Sequence, residues 1–539
     1  MNKKKLRKAV GLSRRDGLRL RLGPVLARMG RIVGMKWPAL GLKIGRETLI
    51  AQARSLWPVR AVLPAEKPLR VVFMTMMGGN HRLCSTEVLL GRILQARGHQ
   101  VSYVLCDQML PACEVKWQGK EYDWQRSCAK CYEFGRQFVG GAGYDILPAS
   151  DLIAGQQDQG AWKEYVDAAL LKHYHVGVLP QSPEVAARRE LFVQAAQVTA
   201  RVGKALAAMK PDRVVMSHGI YCTWGPAREV LLEASIPVLT YGEGKKKDTI
   251  KFNWNTSADW WDVSKEWQKV RDVPLTAEQE KTIDDYLASR RTHSKDARVY
   301  NFGREETLEE TRRRLNLEPD KQTFVLFTNV LWDAASAQRE IAFKNPIEWV
   351  TATIAWFAGH PDKQLVVKIH PAEVVIGTSQ PFALLIRQEF PNLPANVRVI
   401  EPHEKVNSWS IMRVADLGLV HTSTIGMELQ LEGIPVAVVS KTHFRGRGFT
   451  IDVNSRQEYF DLIEQWDGSK VDRQRLATLS KRYAYLLFER YQLHFPFLFE
   501  NRVNDVRAMI NIEEASLLTH PSVQVFLRGF ENRQELLVP

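Results

Sequence analysis

Twice along this 539-residue chain, a short apolar run breaks at a loop, passes into a helical stretch and returns as a second apolar run. The first instance is Leu69-Arg70-Val71-Val72-Phe73-Met74, the loop Met77-Gly78-Gly79-Asn80-His81, a helix over 86–97 closed by Gly98, and a strand over 99–105. The second opens at 324–328, continues through a helix over 346–357 and resumes at 365–369. Strand–helix–strand units of this kind build parallel sheets covered by helices. A chain of this length exceeds one hydrophobic core. The expectation is therefore an α/β fold with two Rossmann-like domains, over 69–290 and 291–480. A segment at 1–68 precedes them and a helical segment at 481–539 follows.

Charge separates the first segment from the rest. The net charge is +14, and residues 1–60 alone carry 16 Lys and Arg against Asp16 and Glu47. The remaining residues are neutral overall, so the body is not a nucleic-acid-like surface and no nucleic-acid partner is expected. Leu18, Leu22, Val25, Leu26, Met29, Ile32 and Val33 fall at roughly helical spacing among the arginines. That pattern suits a helix lying on an anionic membrane surface. A solvated basic arm is the alternative, because Gly23-Pro24 and Gly30 interrupt the helix. Arginines break every apolar stretch of a would-be signal peptide, and no run reaches the ~18 apolar residues of a membrane span. A cytoplasmic protein, held peripherally at an inner membrane face, is the expectation.

Two strand ends carry the candidate chemistry. Leu365-Val366-Val367-Lys368-Ile369 runs into His370-Pro371, and Leu417-Gly418-Leu419-Val420 runs into His421-Thr422-Ser423-Thr424. Ligands of open α/β sheets bind beyond the carboxyl ends of strands. Ser423 or Thr424 would cap the helix that follows, whose free N–H groups attract anions. Lys368, Thr422, Ser423 and Thr424 thus form a candidate phosphate grip. His370, made rigid by Pro371, would offset the charge of a departing phosphate as an imidazolium. Glu428, one turn into the helix, could hold ribose hydroxyls. Arg445 and Arg447, among glycines, could contact phosphate or a donor carboxylate. His218, one strand before that over 237–240, and the aromatic residues Trp254 and Trp260, in a loop region after it, suit a sugar acceptor.

Lys368-Ile369-His370-Pro371, Val420-His421-Thr422-Ser423-Thr424 with Glu428, Gly433-Ile434-Pro435-Val436, and Phe444-Arg445-Gly446-Arg447-Gly448-Phe449-Thr450-Ile451-Asp452 occur in that order. Together they resemble the bacterial capsule polysaccharide biosynthesis proteins. That group includes Kdo transferases and looks related to bacterial sialyl- and polysialyltransferases of the GT-B type. The resemblance covers about 320–455 and extends more weakly over 69–250. It implies a GT-B-like architecture, two Rossmann-like domains facing a cleft, with a nucleotide-sugar donor, often CMP-activated, held by the His-Pro and Ser/Thr motifs. It further implies an acidic base followed by glycine, which falls here on Gly242-Glu243-Gly244; relatives with two acids carry the other where this chain has Gly242. Glu243 and His370 are then the catalytic pair, with a glycan or lipid-linked glycan as acceptor.

Alternatives are transfer of a polyol phosphate from a CDP-alcohol, epimerisation of a sugar nucleotide, and non-catalytic glycan binding during assembly. No Asp-x-Asp pair stands at a strand end, so metal-independent chemistry with no cofactor is expected. Cys128-Ala-Lys-Cys131 has knuckle spacing, and Cys106 and Cys113 could complete a structural zinc site; buried thiols are the other reading.

Overall fold

The computed structural model describes Ile50 and residues 64–114, 124–292, 294–297, 303–332, 339–496 and 514–539. The basic arm proposed for membrane contact lies almost wholly outside them. The described residues divide into two compact units. The N-terminal unit comprises the described parts of Leu18–His173, Pro180–Asp262 and Glu489–Pro539. The C-terminal unit is built from Tyr174–Leu179 and Val263–Phe488. Among the described residues no helix is long and apolar enough to cross a membrane.

The N-terminal sheet takes β1 (Arg70–Thr75), β2 (Gln100–Leu105), β3 (Asp145–Pro148), β4 (Arg213–Ser217), β5 (Val238–Glu243) and β6 (Thr249–Trp254). The C-terminal sheet takes β7 (Gln322–Phe327), β8 (Lys363–Lys368), β9 (Val397–Ile400), β10 (Leu417–Val420), β11 (Val436–Val438) and β12 (Ile451–Asp452). A last strand, β13 (Leu493–His494), returns to the first sheet, whose order is β13-β6-β5-β4-β1-β2-β3. Its β3-β2-β1-β4-β5 portion is parallel, while β6 runs antiparallel to both β5 and β13. The second sheet, β12-β11-β10-β7-β8-β9, is parallel throughout. The molecule is thus α/β with two mostly parallel sheets.

Local sequence explains the main elements. Val71, Val72, Phe73 and Met74 are all buried, as a strand covered on both faces requires. The helix after β1 starts at His81, earlier than position 86, because the Asn80 side chain accepts the Leu83 N–H and caps it there. Gly78 and Gly79 serve close packing. A Cβ on Gly79 would sit 2.9 Å from Cys131 Cα, on the helix Trp124–Gly141. Ser182 caps the long helix Pro183–Met209, whose first residue is the proline favoured there. In the C-terminal unit, Phe324, Leu326, Leu365, Val367, Ile369, Leu417 and Leu419 pack beneath Trp349 and Phe357 of the helix Pro346–Ala358.

Candidate active site

In the C-terminal sheet the strand registers set Phe327, Lys368, Ile400, Val420 and Val438 in one row. The residues that follow them therefore emerge along one edge, and the two motifs meet there. Thr328 and Asn329, directly after β7, tie them together. Thr328 Oγ1 accepts the backbone N–H of His370 at 3.0 Å, and Asn329 Oδ1 accepts that of Thr422 at 3.2 Å. Ser440, after β11, donates to the His421 carbonyl at 2.8 Å.

His370 is further fixed by the N–H of Ala372, which donates to Nδ1 at 3.1 Å. An Nδ1 that accepts places the proton of the neutral ring on Nε2. Nε2 is then the donor nitrogen of that ring. His421 is held neutral: burial, then the positive charge of Arg339, lowers it to about 3. Lys368 is buried, and burial brings it down to about 8; Glu404 opposes that shift and Arg314 adds to it.

Thr422 is buried, and Ser423 and Thr424 are half-buried beside it. Thr424 occupies the cap position of the seven-residue helix Ile425–Leu431, with no side-chain capping bond. Glu428 is ion-paired with Arg290, which also holds Asp296 at 3.1 Å and the Tyr286 hydroxyl at 3.2 Å. Its carboxylate is thus part of a buried protein network, and a ribose would have to compete with an arginine. Arg445 donates to the carbonyls of Val438 (2.8 Å) and Val453 (2.9 Å) and to Asn454 Oδ1 (2.8 Å). It pins the ends of β11 and β12. Arg447 binds the His443 carbonyl and Ser264.

In the N-terminal unit, Glu243 ends β5 and is held by both Nη atoms of Arg82, one contact measuring 2.7 Å. His218 follows β4 in the left-handed region, with φ of 54°, and its Nε2 stands 3.9 Å from Asp259 Oδ2. Lys251 holds the other Asp259 oxygen at 3.0 Å. A Cβ at Gly242 would lie 2.9 Å from Lys251 Cε and 3.5 Å from Asp259 Oδ1. The space beside Gly242 is therefore taken by the Lys251–Asp259 pair, Asp259 arriving from the connection after β6. Trp260 shares the short turn of Asp259, and the Arg228 guanidinium lies 5.4 Å from its ring centre.

Trp254 is elsewhere. The β5–β6 register pairs it with Leu239 and pairs Glu243 with Ile250, so it lies about 13 Å along the sheet from the β5 carboxyl end. Its indole N–H donates to the Gln534 carbonyl at 2.9 Å, and its ring packs on Phe530. Among the described residues no group of three or more His, Cys, Asp or Glu is placed to hold a metal ion. Of the four cysteines named as a possible zinc site, Cys106, Cys113, Cys128 and Cys131, the Cys131 thiol accepts the Gly79 N–H at 2.9 Å.

No protein-family model matches this chain, and no curated protein matches it significantly. Among solved structures it is similar to the beta Kdo 2,4 transferase of Thermosulfurimonas dismutans KpsC, with 18% identity, 52% of this chain and 81% of that chain covered, and a TM-score of 0.34. The beta Kdo 2,7 transferase of the same protein gives 16% identity, 59% and 90% coverage, and 0.33. The UDP-GlcNAc 2-epimerase from Neisseria meningitidis gives 12%, 76% and 96%, and 0.23. Likenesses this distant say nothing of this chain's chemistry.

Proposed function

We propose that the protein is a glycosyltransferase. It would move a sugar from a nucleotide-activated donor, in the first instance CMP-activated, to a surface or capsular polysaccharide acceptor. The observation that supports this reading is the cross-tie at the C-terminal sheet edge, where Thr328 and Asn329 hold the His370 and Thr422 loops side by side. Such an edge can present Nε2–H of His370 and the hydroxyls of Thr422, Ser423 and Thr424 to a phosphate. Hydrogen bonds fixed in advance act on charge as it develops on a leaving group. The base would come from the N-terminal unit, where the sequence names Glu243. The basic arm would keep the enzyme at an anionic membrane bearing a lipid-linked acceptor.

Thermal unfolding with CMP, CDP, UDP and GDP tests the donor half. A ligand of the folded state raises the midpoint by mass action. A rise with one of them, absent in His370→Ala, is the expected result; no rise with any of the four would remove the reading. Deleting residues 1–60 should abolish sedimentation with anionic vesicles, and unchanged sedimentation would remove the membrane role.

A further inference from the structure

A buried run of polar groups ends on His218. Glu87, on the helix His81–Ala96, is 1% exposed and accepts hydroxyl protons on both oxygens, from Thr75 and, at 2.8 Å, from Tyr241. Tyr241 is the register partner of Ser217 in the β4–β5 pair. Ser217 Oγ is bonded to Nδ1 of His218. Ser217 and Tyr241 are themselves buried, whereas the His218 side chain is 33% exposed.

These contacts set the two ring nitrogens apart. Nδ1 is engaged by the buried Ser217 hydroxyl, and Nε2 is the nitrogen that faces Asp259. With Ser217 as the acceptor in that bond, the ring proton sits on Nδ1 and Nε2 carries the lone pair. At 3.9 Å, Asp259 Oδ2 is too far for a hydrogen bond and near enough to stabilise a proton arriving on Nε2. Lys251 keeps that carboxylate in place, and the Trp224 ring stacks on the imidazole with centroids 5.8 Å apart. The other charged neighbours are Arg228, close to Gly219, and the Arg82–Glu243 pair at the end of β5.

We infer that His218 takes the proton from the acceptor hydroxyl through Nε2, with Ser217 as the positioning residue and Asp259 as the carboxylate that stabilises the imidazolium. This rests on the glycosyl-transfer reading and moves the base from Glu243, which Arg82 clamps, to its neighbour. In the step, the acceptor oxygen bonds to the anomeric carbon as the bond from that carbon to the donor phosphate oxygen breaks. The electron pair leaves with the nucleotide phosphate, and the acceptor proton goes to His218.

Two measurements on the full chain test it. The first is nucleotide release from a panel of CMP-, UDP- and GDP-sugars. His218→Gln should lower turnover by about 10²–10⁴-fold, the range of a lost general base, with nucleotide affinity kept. Asp259→Asn should lower it less. An active wild type with His218→Gln within twofold of it would overturn the inference and leave the transferase reading standing. The second is the tautomer of His218 by ¹⁵N NMR, assigned with His218→Gln and independent of any donor. Nδ1–H in the wild type, lost in Ser217→Ala, is expected. Nε2–H in the wild type would overturn the inference even if no sugar nucleotide is turned over, the case in which the transferase reading itself fails.

Discussion

At the carboxyl edge of the C-terminal sheet the two motif loops are tied by uncharged side chains, with Lys368 and Arg445 as cations at the strand ends, whereas the β4–β5 end of the N-terminal sheet holds two ion pairs around a histidine. The first edge is tied by Thr328, Asn329 and Ser440, with His370 fixed as an Nε2–H donor and His421 kept neutral by burial. The second holds Arg82 with Glu243 and Lys251 with Asp259, around His218. The difference is one of task. Fixed neutral donors grip an anion by direction and stay unchanged as protons come and go. Ion pairs around an imidazole give a proton somewhere to settle. On the proposed reading, the binding chemistry and the proton chemistry belong to separate units of the chain.

The largest test of that division is His370→Ala, which should lower turnover by about 10³-fold, the upper range for losing one preorganised donor. A circular dichroism spectrum and melting midpoint near those of the wild type would show the fold intact; undiminished turnover would break the assignment. Next comes Glu243→Gln, expected to lower turnover about tenfold by loosening Arg82 and the β5 end. A loss as large as that of His218→Gln would return the base to Glu243. Smaller and more specific is Thr328→Val. It removes the acceptor for the His370 N–H, worth about 1 kcal/mol. The expected result is several-fold weaker nucleotide binding by calorimetry, with no change in the NMR signals of His218.

What the sequence showed and what it hid follow from distance along the chain. The motif edges were legible from apolar runs that stop at His370 and His421, because strand ends are written locally. Partners were not. Arg82 reaches Glu243 across 161 positions, and Arg290 reaches Glu428 across 138. No spacing rule shows that either carboxylate has an arginine on it. Trp254 read as a loop residue beside the acceptor, but β6 doubles back antiparallel on β5 and carries it away from Glu243. Thr328 and Asn329 had a signal that could have found them, two polar residues directly after a buried strand. Ser217, Tyr241 and Glu87 had none, since each looks like an ordinary residue of a strand or helix until the chain is folded.

The two units also differ in how they bury a carboxyl group, and this supplies the mildest test. Glu87 is met by two hydroxyl donors, and burial still raises it to about 7. Glu373, three residues after His370, receives only the Phe382 N–H at 3.3 and 3.4 Å, and burial raises it to about 8. A carboxyl raised in the folded state holds its proton where the unfolded chain, with an ordinary value of 4.5, has released it. Between those two values the folded state binds more protons, so stability falls as pH rises, by at most about 1.4 kcal/mol per unit for one group. Glu373→Gln removes the titration and keeps an acceptor for the Phe382 N–H. Its denaturation midpoint should therefore decline less steeply than that of the wild type from pH 5 to 8, and the two curves should run parallel above pH 9. Glu87→Gln should flatten the curve over a narrower interval, ending near pH 7. It should also lower stability throughout, because the amide can accept only one of the two hydroxyl protons that the carboxylate accepts from Thr75 and Tyr241. Equal behaviour of the two variants would mean that the hydroxyl donors around Glu87 contribute nothing to stability.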